Sequence, residues 1–407
     1  MQSISQPSAK PPLSARIRLQ APIFLVGLGH GSTHWQLGTF LILLPFVAKD
    51  LGLSYTEAGV LVTVLHIASF FANFAGGMAV DISGRRVGFL VACLLVGGAA
   101  LMGFGLSTHY LALVLMVALI SCSNGFWHSP AISFISLSFP KRRGYGLSIH
   151  STGASLGDMV APGVTGLLLT WLTWHQAAMI SALPAFLFAV LIFLLVLPKE
   201  TAGLQGGNSG ISAGQWYRSI KQMLRSRSIL SLCLMVAFRG MGQTGLGMFL
   251  PLYLADGLRV SPMMVGGTIL AMHLGAVVMS PIAGMLSDRV GRRPVVAVGL
   301  AATTVLIISL TLFKGLVPFV GAVVLLGFAL YAIRPVMQSW MMDMSPAAMS
   351  GTASSIFFSI QSAFSALMPL MGGMVADRYG LFEVFYLIAA VMLIANLMLL
   401  AIPRTAR

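Results

Sequence analysis

The sequence predicts an all-α membrane protein whose twelve transmembrane helices form two pseudo-symmetric bundles of six. Three observations predict this fold: the composition is apolar, the apolar residues fall in long runs, and the second half repeats the first. Of the 407 residues, 57% are hydrophobic and only 8% are charged. A water-soluble chain of this length needs far more charge to cover its surface.

Twelve apolar runs account for most of the chain, and each can supply the about 20 residues that a bilayer-spanning helix needs. The runs lie at 21–48, 55–80, 87–107, 109–138, 144–171, 175–197, 228–255, 262–287, 293–314, 315–344, 350–376 and 380–402. They predict a six-helix bundle at 21–197 and a second one at 228–402. The polar stretch 198–227 is predicted to link the two bundles on the cytoplasmic side.

The two ends of the chain are polar and are predicted to be short tails, at 1–20 and 403–407. The first apolar run is interrupted by His30, His34 and Trp35, and no small-residue cleavage site follows it. We therefore expect a retained first helix rather than a removed signal peptide.

Basic residues predict the orientation in the membrane. With the N-terminus inside, the predicted cytoplasmic segments hold 18 of the 24 Lys and Arg residues, and the external loops hold four. This bias is typical of membrane proteins with both termini in the cytoplasm, here of a bacterial inner membrane. It also accounts for most of the net charge of +14, so the charge does not indicate nucleic-acid binding.

The second half of the chain repeats landmarks of the first at an offset of about 206 residues. Proline pairs mark three of the four landmarks: Pro45 with Pro251, Pro130 with Pro335, and Pro140 with Pro346. The fourth is a loop of the form G-x-x-x-D-x-x-G-R-R. Its first copy consists of Gly77, Asp81, Gly84, Arg85 and Arg86, and its second of Gly284, Asp288, Gly291, Arg292 and Arg293. Parallel repeats of this kind predict a substrate site at their interface, near the bilayer midplane.

The repeated loop resembles the signature of the major facilitator superfamily, and the similarity covers residues 21–402. A narrower resemblance is to fosmidomycin-resistance-type efflux proteins. It is carried by Gly125 to Pro130, by Arg239 with the segment Phe249–Leu254, and by Pro335 to Pro346. Ser129 separates His128 from Pro130, which departs from the G-x-F-H-P stretch of that group. The narrower resemblance implies proton-driven export of small organic molecules, some of them anionic.

The resemblance implies a gating role for the two loops. Their Asp and Arg residues are expected to form a charge network that holds the cytoplasmic face in one conformation. The expected pairs are Asp81 with Arg85 and Asp288 with Arg292, and Asp343 is expected to belong to the same inner gate. The alternative is that these arginines only reflect the positive bias of cytoplasmic loops.

Asp158 is the one acidic residue deep in an apolar run. An ionisable residue at this depth indicates function, because placing it there costs at least about 2.5 kcal/mol. Burial favours the neutral form of a carboxyl group and so suits it to carrying a proton. We predict a role in proton coupling, with His150 as a second candidate. The alternative is a structural partnership with a buried Arg or His.

Arg239 and Arg334 lie about ten residues from the ends of the seventh and tenth runs. Helices at these positions line the central cavity in the fold that the resemblance implies. Two fixed positive charges there predict binding of a carboxylate, phosphate or phosphonate, since Arg offers a bidentate fork to such groups. An internal salt bridge, for example of Arg334 with Asp343, is the alternative.

Several histidines fall within the predicted helices, and His30 and His34 share one face of the first. They could bind substrate by hydrogen bonds, together with His128, or accept protons. A metal site would need further ligands from helices two and four, and the sequence alone gives no reason to predict one. Further side chains on helices one, seven and ten are predicted to line the cavity: Trp35, Gln243, Tyr331 and Gln338.

Together these features predict a secondary active transporter that works by alternating access and exports a small organic anion or drug in exchange for protons. Proton-coupled uptake, or exchange of small carboxylates, would use the same residues and stays open. The sequence contains no G-x-x-x-x-G-K-[ST] loop, so we expect neither ATP-driven transport nor a cofactor. The expected partners are a small anionic substrate, protons and lipid, and the expected state is a monomer.

The sequence does not fit two other classes of membrane protein. A membrane-embedded metal-dependent enzyme would need an acid beside the histidine pair, and the segment His30 to His34 contains none. A receptor would usually carry a larger soluble domain than the stretch 198–227. We expect neither.

Overall fold

The computed structural model describes residues 13–83, 85–139, 143–198, 225–313, 315–345 and 350–402, and single positions at 218, 221 and 223. The helices of the first half are α1 (Leu13–Leu51), α2 (Tyr55–Ser83), α3 (Arg86–Leu106), α4 (Tyr110–Ser138), α5 (Arg143–Leu168), α6 (Trp174–Ser181) and α7 (Leu183–Leu195). Those of the second half are α8 (Arg227–Leu252), α9 (Pro262–Val290), α10 (Arg292–Leu310), α11 (Leu316–Asp343), α12 (Ser350–Ser365), α13 (Leu367–Tyr379) and α14 (Val384–Ala401).

These helices make twelve crossings, which confirms the predicted fold class. The segments α6 and α7 form one crossing that is interrupted at Ala182, and α12 and α13 form another that is interrupted at Ala366. A π-helical turn at Tyr253–Gly257 extends α8. The division into tails, bundles and linker stays a prediction, since most of 198–227 lies outside the described residues.

Local sequence signals account for several helix ends. Ser226 and Ser261 cap α8 and α9 by accepting hydrogen bonds from backbone amides of the first turn. Thr173 and Gln176 form a capping box at the start of α6. Between α9 and α10, Gly291 has a φ of 95°, a conformation that residues with a Cβ rarely adopt.

Ten crossings in the described part of the chain are long and apolar enough to span a membrane by themselves. The other two crossings are α1 and α5, because polar residues such as His30, His34, His150 and Asp158 interrupt their apolar sequence. These two helices pack extensively against each other. Their polar faces are therefore buried against protein rather than lipid, as ionisable residues in a bilayer require.

The two bundles meet at the end of the molecule where α1 finishes and α2 begins, which we name the closed end. Asp377 at the end of α13 accepts hydrogen bonds from the backbone amides of Tyr55 (2.8 Å) and Thr56 (2.9 Å) at the start of α2. Deeper along the same helix, the Thr63 hydroxyl donates to the Ala366 carbonyl at 2.8 Å. A carboxylate at a helix N-terminus is favoured by the helix dipole, so these contacts stabilise closure.

A second contact at the closed end brings α5 and α9 together backbone to backbone. A Cβ added to Gly166 would lie 2.6 Å from the Pro262 carbonyl oxygen and 2.9 Å from Gly266 Cα. A Cβ on Gly266 would likewise lie 2.9 Å from Gly166 Cα. Small residues that let helices approach this closely are typical of membrane bundles.

We expect Gly266→Leu to push α5 and α9 apart and to shift the transporter towards a state that is open at this end. Overpacking costs about 1–3 kcal/mol, and about 1.4 kcal/mol changes an equilibrium tenfold. A single cysteine at Leu41, which faces Gly247 across the interface, should therefore react about tenfold faster with a water-soluble maleimide. This cysteine is introduced into a variant in which the native Cys93, Cys122 and Cys233 have been replaced.

The matched control for this variant is Gly267→Leu, because a Cβ on Gly267 meets open space. It should leave the labelling rate unchanged. Equal rates in both variants would show that the Gly166–Gly266 contact does not control the opening of this end.

Candidate functional site

A hydrogen-bonded pair joins α1 to α5 near the middle of the first bundle. Nδ1 of His34 lies 2.9 Å from Oδ1 of Asp158. The side chains keep 14% and 31% of their surface exposed. The deep acid that the sequence singles out thus has a histidine partner, and part of the pair is open to the space beside it.

The second bundle places polar groups opposite this pair. Tyr331 and Arg334 lie one turn apart on α11, and His273 lies on α9. The Tyr331 hydroxyl is 3.1 Å from His273 Nε2. Because His273 Nδ1 donates to the Ile269 carbonyl at 2.9 Å, its Nε2 is the acceptor of the tyrosine proton.

The two sides are close enough to influence each other electrostatically. Asp158 interacts with His273, Arg334 and Tyr331 of the opposite bundle, and Arg334 also interacts with His128. The Arg334 side chain is exposed. We call Asp158, His34, Tyr331, His273 and Arg334 the central site. It has an acid on one bundle and a cation on the other, so an anion that enters would meet Arg334 with Asp158 close by.

The residues of the central site include four that the sequence predicts and one that it does not. Asp158, His34, Tyr331 and Arg334 are predicted, although their pairing across the interface is not. His273 lies within an apolar run, and no motif or spacing distinguishes it in the sequence. His273 and Tyr331 are 58 residues apart in the sequence, and they meet because α9 packs against α11.

Three further histidines of the first bundle, His30, His128 and His150, form a compact cluster behind His34. The ring of His30 stacks on that of His150 with centroids 3.8 Å apart, and lies 4.8 Å from His34 and 5.0 Å from His128. His30 and His150 are each 3% exposed. The rings of His34, His128 and His150 therefore gather around that of His30, with Trp127 stacked beside it.

The chain also matches known proteins. The sequence profile of the Major Facilitator Superfamily matches residues 26–272 and 232–407, which together cover most of the chain. The chain belongs to the major facilitator superfamily. It is therefore a multi-pass membrane transporter and not an enzyme.

Relatives in this superfamily resemble the chain over nearly their whole length. It is 27% identical to the multidrug resistance protein MdtG of Klebsiella pneumoniae over 368 residues, which are 86% of this chain and 85% of that protein. It is 24% identical to the phosphoglycerate transporter protein of Salmonella typhimurium over 404 residues, covering 92% and 86% of the two chains.

Among solved structures, the chain resembles an inward-facing, unoccupied bacterial homolog of the human lysosomal transporter Spinster. The TM-score is 0.80 at 16% identity, with 97% of this chain and 98% of that chain covered. At this identity the likeness establishes the shared fold.

The repeated loop motif lies at the end opposite the closed end, which we name the motif end. In the second copy, Arg292 forms a salt bridge with Asp288. Its Nε also donates a hydrogen bond to Oδ2 of Asp343 at 2.9 Å. It also donates to Ser287 Oγ at 2.7 Å. One arginine thereby ties α9, α10 and α11 together, and the predicted pair Asp288–Arg292 is formed.

Other motif residues take different roles. Arg293 donates to the carbonyl of Ile402 at 2.6 Å, and Arg86 donates to Ser133 Oγ at 2.7 Å. Arg85 is exposed. A Cβ on Gly284 would meet open space. Gly84 lies outside the described residues, as do the surroundings of Gly77 and the side chain of Asp81, so the Asp81–Arg85 pair stays a prediction.

Arg239, predicted as a substrate ligand, is enclosed within the second bundle of this superfamily fold. It is 0% exposed, donates to the Leu330 carbonyl at 2.6 Å and bonds to Gln243 Oε1. A substrate could reach its guanidinium only after a rearrangement. Substrate binding by Arg239 stays a prediction for such a rearranged state. In this conformation Arg239 links α8 to α11.

Two further predicted lining residues point in different directions. Trp35 is half-buried and donates through Nε1 to the Ser181 carbonyl at 2.9 Å, so its polar end faces α6 of its own bundle. Gln338 lies one turn beyond Arg334 on α11 and is exposed.

We expect Arg239→Ala to lower the stability of the folded transporter. The substitution removes the hydrogen bonds of the guanidinium to the Leu330 carbonyl and to Gln243, each worth about 1.5–3 kcal/mol for a charged donor, and it also creates a cavity. The melting temperature of the detergent-solubilised protein should fall by several degrees. Arg225→Ala, a basic residue at the start of the second half outside the helices, is the control. An unchanged melting temperature together with lost substrate binding would favour the role as a ligand.

Proposed function

We propose that this transporter exports a small organic anion or drug in exchange for protons, by alternating access. The observation that carries the proposal is the central site, in which the Asp158–His34 pair faces Arg334 across the interface between the two bundles. Superfamily transporters of parallel-repeat design bind substrate at that interface, near the midplane.

The relatives support both parts of the proposed substrate class. One is named a multidrug resistance protein, which favours export of foreign organic molecules. Another is named a phosphoglycerate transporter protein, and phosphoglycerate carries both a phosphate and a carboxylate. An exposed guanidinium suits such groups because its planar fork donates two parallel hydrogen bonds.

The proposed topology places the motif end in the cytoplasm of a bacterial inner membrane, with both termini inside. The excess of Lys and Arg in the segments of that end supports this orientation. The described bundle-to-bundle contacts lie towards the closed end, which would then face outwards. In this arrangement the central site is loaded from the cytoplasm, which is the side from which an exporter takes its cargo.

Asp158 is proposed as the residue that couples transport to protons. Its support is positional: it is the deep acid of the sequence, it is partly exposed, and it lies within electrostatic reach of Arg334. Cargo and proton would then be bound by neighbouring groups of opposite charge. Anion binding at Arg334 and protonation of Asp158 thereby influence each other, so each changes the affinity for the other.

A second candidate function is uptake or exchange of a small carboxylate or phosphate by the same site. The phosphoglycerate transporter relative favours it. The chain is proposed to act as a monomer in either case.

Everted membrane vesicles, acidified inside and loaded with a fluorescent pH probe, test the proposal. Fosmidomycin and a panel of small carboxylates and phosphonates are added one at a time. We expect one of them to collapse the pH gradient rapidly in vesicles that contain the transporter, because entry of the compound drives protons out.

Vesicles with the Arg334→Ala variant serve as the matched control and should keep the gradient. If no compound collapses the gradient in the wild-type vesicles, proton-coupled export of this substrate class is wrong. Accumulation of the same compounds in right-side-out vesicles would then support uptake or exchange.

A further inference from the structure

The histidine cluster of the first bundle contains a donor set of which only His34 belongs to the central site. His30 and His34 of α1 and His128 of α4 each offer one ring nitrogen, and these three atoms lie within 4.8 Å of one another. His30 is buried, and the other two are partly buried. The sequence alone did not predict a metal site, since it could not place α4 against α1.

Hydrogen bonds fix which ring nitrogen carries the proton in two of the three rings. Nδ1 of His30 lies 2.8 Å from the carbonyl oxygen of His150. Nδ1 of His34 lies 2.9 Å from a carboxylate oxygen of Asp158. Carbonyl and ionised carboxylate oxygens only accept, so each Nδ1 is the donor. In the neutral rings, Nε2 therefore holds a free lone pair.

These Nε2 atoms are enclosed and lack partners. In the part of the chain that the structure describes, Nε2 of His30 and of His34 has almost no solvent contact and no hydrogen bond. Buried polar atoms in proteins are nearly always satisfied, and an exception points to an ion or another ligand. Nε2 of His150, whose ring stacks on His30, is unpartnered in the same way.

The surroundings match those of metal-binding histidines in general. Such residues usually donate their outer ring N–H to a carboxylate or a backbone carbonyl, which orients the ring and raises its basicity. Asp158 holds His34 in this way, and the His150 carbonyl holds His30. Imidazole nitrogens suit Zn²⁺, Co²⁺, Ni²⁺ and Cu²⁺, whereas Mg²⁺ and Ca²⁺ prefer oxygen.

We propose that His30, His34 and His128 bind one divalent transition-metal ion within the first bundle. Zinc–nitrogen distances of about 2.0–2.1 Å put the ligand atoms of a tetrahedral site about 3.3 Å apart. The rings therefore move inward by a small rotation when the ion binds. Three protein ligands leave a fourth position for water or an anionic group. The site does not depend on the direction or the driving ion of transport.

Titration of the purified full-length protein with Co²⁺ tests the proposal, after removal of the affinity tag and of bound metal with a chelator. The visible absorption of Co²⁺ reports tetrahedral coordination by nitrogen. We expect one Co²⁺ per chain, displaced by Zn²⁺. Removal of an outer hydrogen-bond partner typically weakens metal binding by about 10–100-fold. His34→Gln and His128→Gln each remove a ligand and should weaken Co²⁺ binding by more than that. Asp158→Asn should fall within that range.

His109→Gln is the matched control, because His109 is an exposed histidine just before α4. It should bind Co²⁺ as the wild type does. Zn²⁺ should raise the melting temperature of the wild type and of this control, but not that of His34→Gln.

Two results would overturn the proposal: a wild-type protein that binds no Co²⁺, or histidine variants that fold and bind it with unchanged affinity. If a histidine variant does not fold, the proposal is tested by comparing the Co²⁺ affinity of Asp158→Asn with that of the wild type. Equal Co²⁺ affinity in that pair counts against the site.

Discussion

Arg334→Ala is expected to abolish high-affinity binding of an organic anion while leaving the transporter folded. A hydrogen bond to a charged group contributes about 1.5–3 kcal/mol, so losing a bidentate pair should cost about 3 kcal/mol or more. This corresponds to a loss of affinity of at least about 100-fold. The side chain is exposed in the central site, so its removal leaves no cavity in the bundle. Calorimetric titration of the detergent-solubilised protein with fosmidomycin, or with whichever anion the vesicles identify, measures the effect.

Arg334→Lys refines this expectation, because lysine keeps the charge and loses the planar fork. We expect an affinity between those of wild type and the alanine variant. Arg378→Ala is the control, since Arg378 lies in the last turn of α13 at the closed end, outside the central site. Unchanged affinity in Arg334→Ala would mean that the substrate does not bind at this guanidinium.

Asp158→Asn is expected to separate substrate binding from the proton gradient. Asparagine has nearly the same shape and can still bond to His34, but it cannot take up a proton. Binding of the anion should therefore stay within about tenfold of wild type, since the Arg334 contact is kept. Transport driven by a pH gradient in proteoliposomes should fall to the level of liposomes without protein.

The control for this variant is Glu383→Gln, which removes an acid from the short turn before α14 at the closed end. It should transport as the wild type does. Gradient-driven transport that survives in Asp158→Asn would contradict the coupling role of this carboxyl group. His150 would then be the next residue to replace, since the sequence also predicts it for proton coupling.

Much of the architecture could be predicted from apolar runs and turn signals alone. Each of the twelve predicted runs overlaps one crossing, including 21–48 and 144–171, which correspond to the more polar helices α1 and α5. The interruptions at Ala182 and Ala366 were not predicted. Proline follows each position within three residues, as Pro184 and Pro369, and it removes a helix hydrogen bond, so the local sequence does mark both breaks.

The central site was predicted only as a set of separate residues. Asp158 and the intramembrane arginines stand out in the sequence because charge is costly in a bilayer. Their partners depend on packing between helices more than 100 residues apart, as for His34 with Asp158. Burial of Arg239 could not be predicted either, because an arginine on a cavity helix can face the cavity or a neighbouring helix.

The polarity of α5 has a consequence for biogenesis. A histidine and an aspartate in one crossing make it a poor substrate for release from the translocon into lipid, where an Asp at the helix centre costs about 2.5–3.5 kcal/mol. α1 is synthesised first and already carries His34, the residue that pairs with Asp158. We therefore expect the nascent chain to keep α1 close to the insertion machinery until α5 emerges. The two helices are then expected to enter the bilayer together.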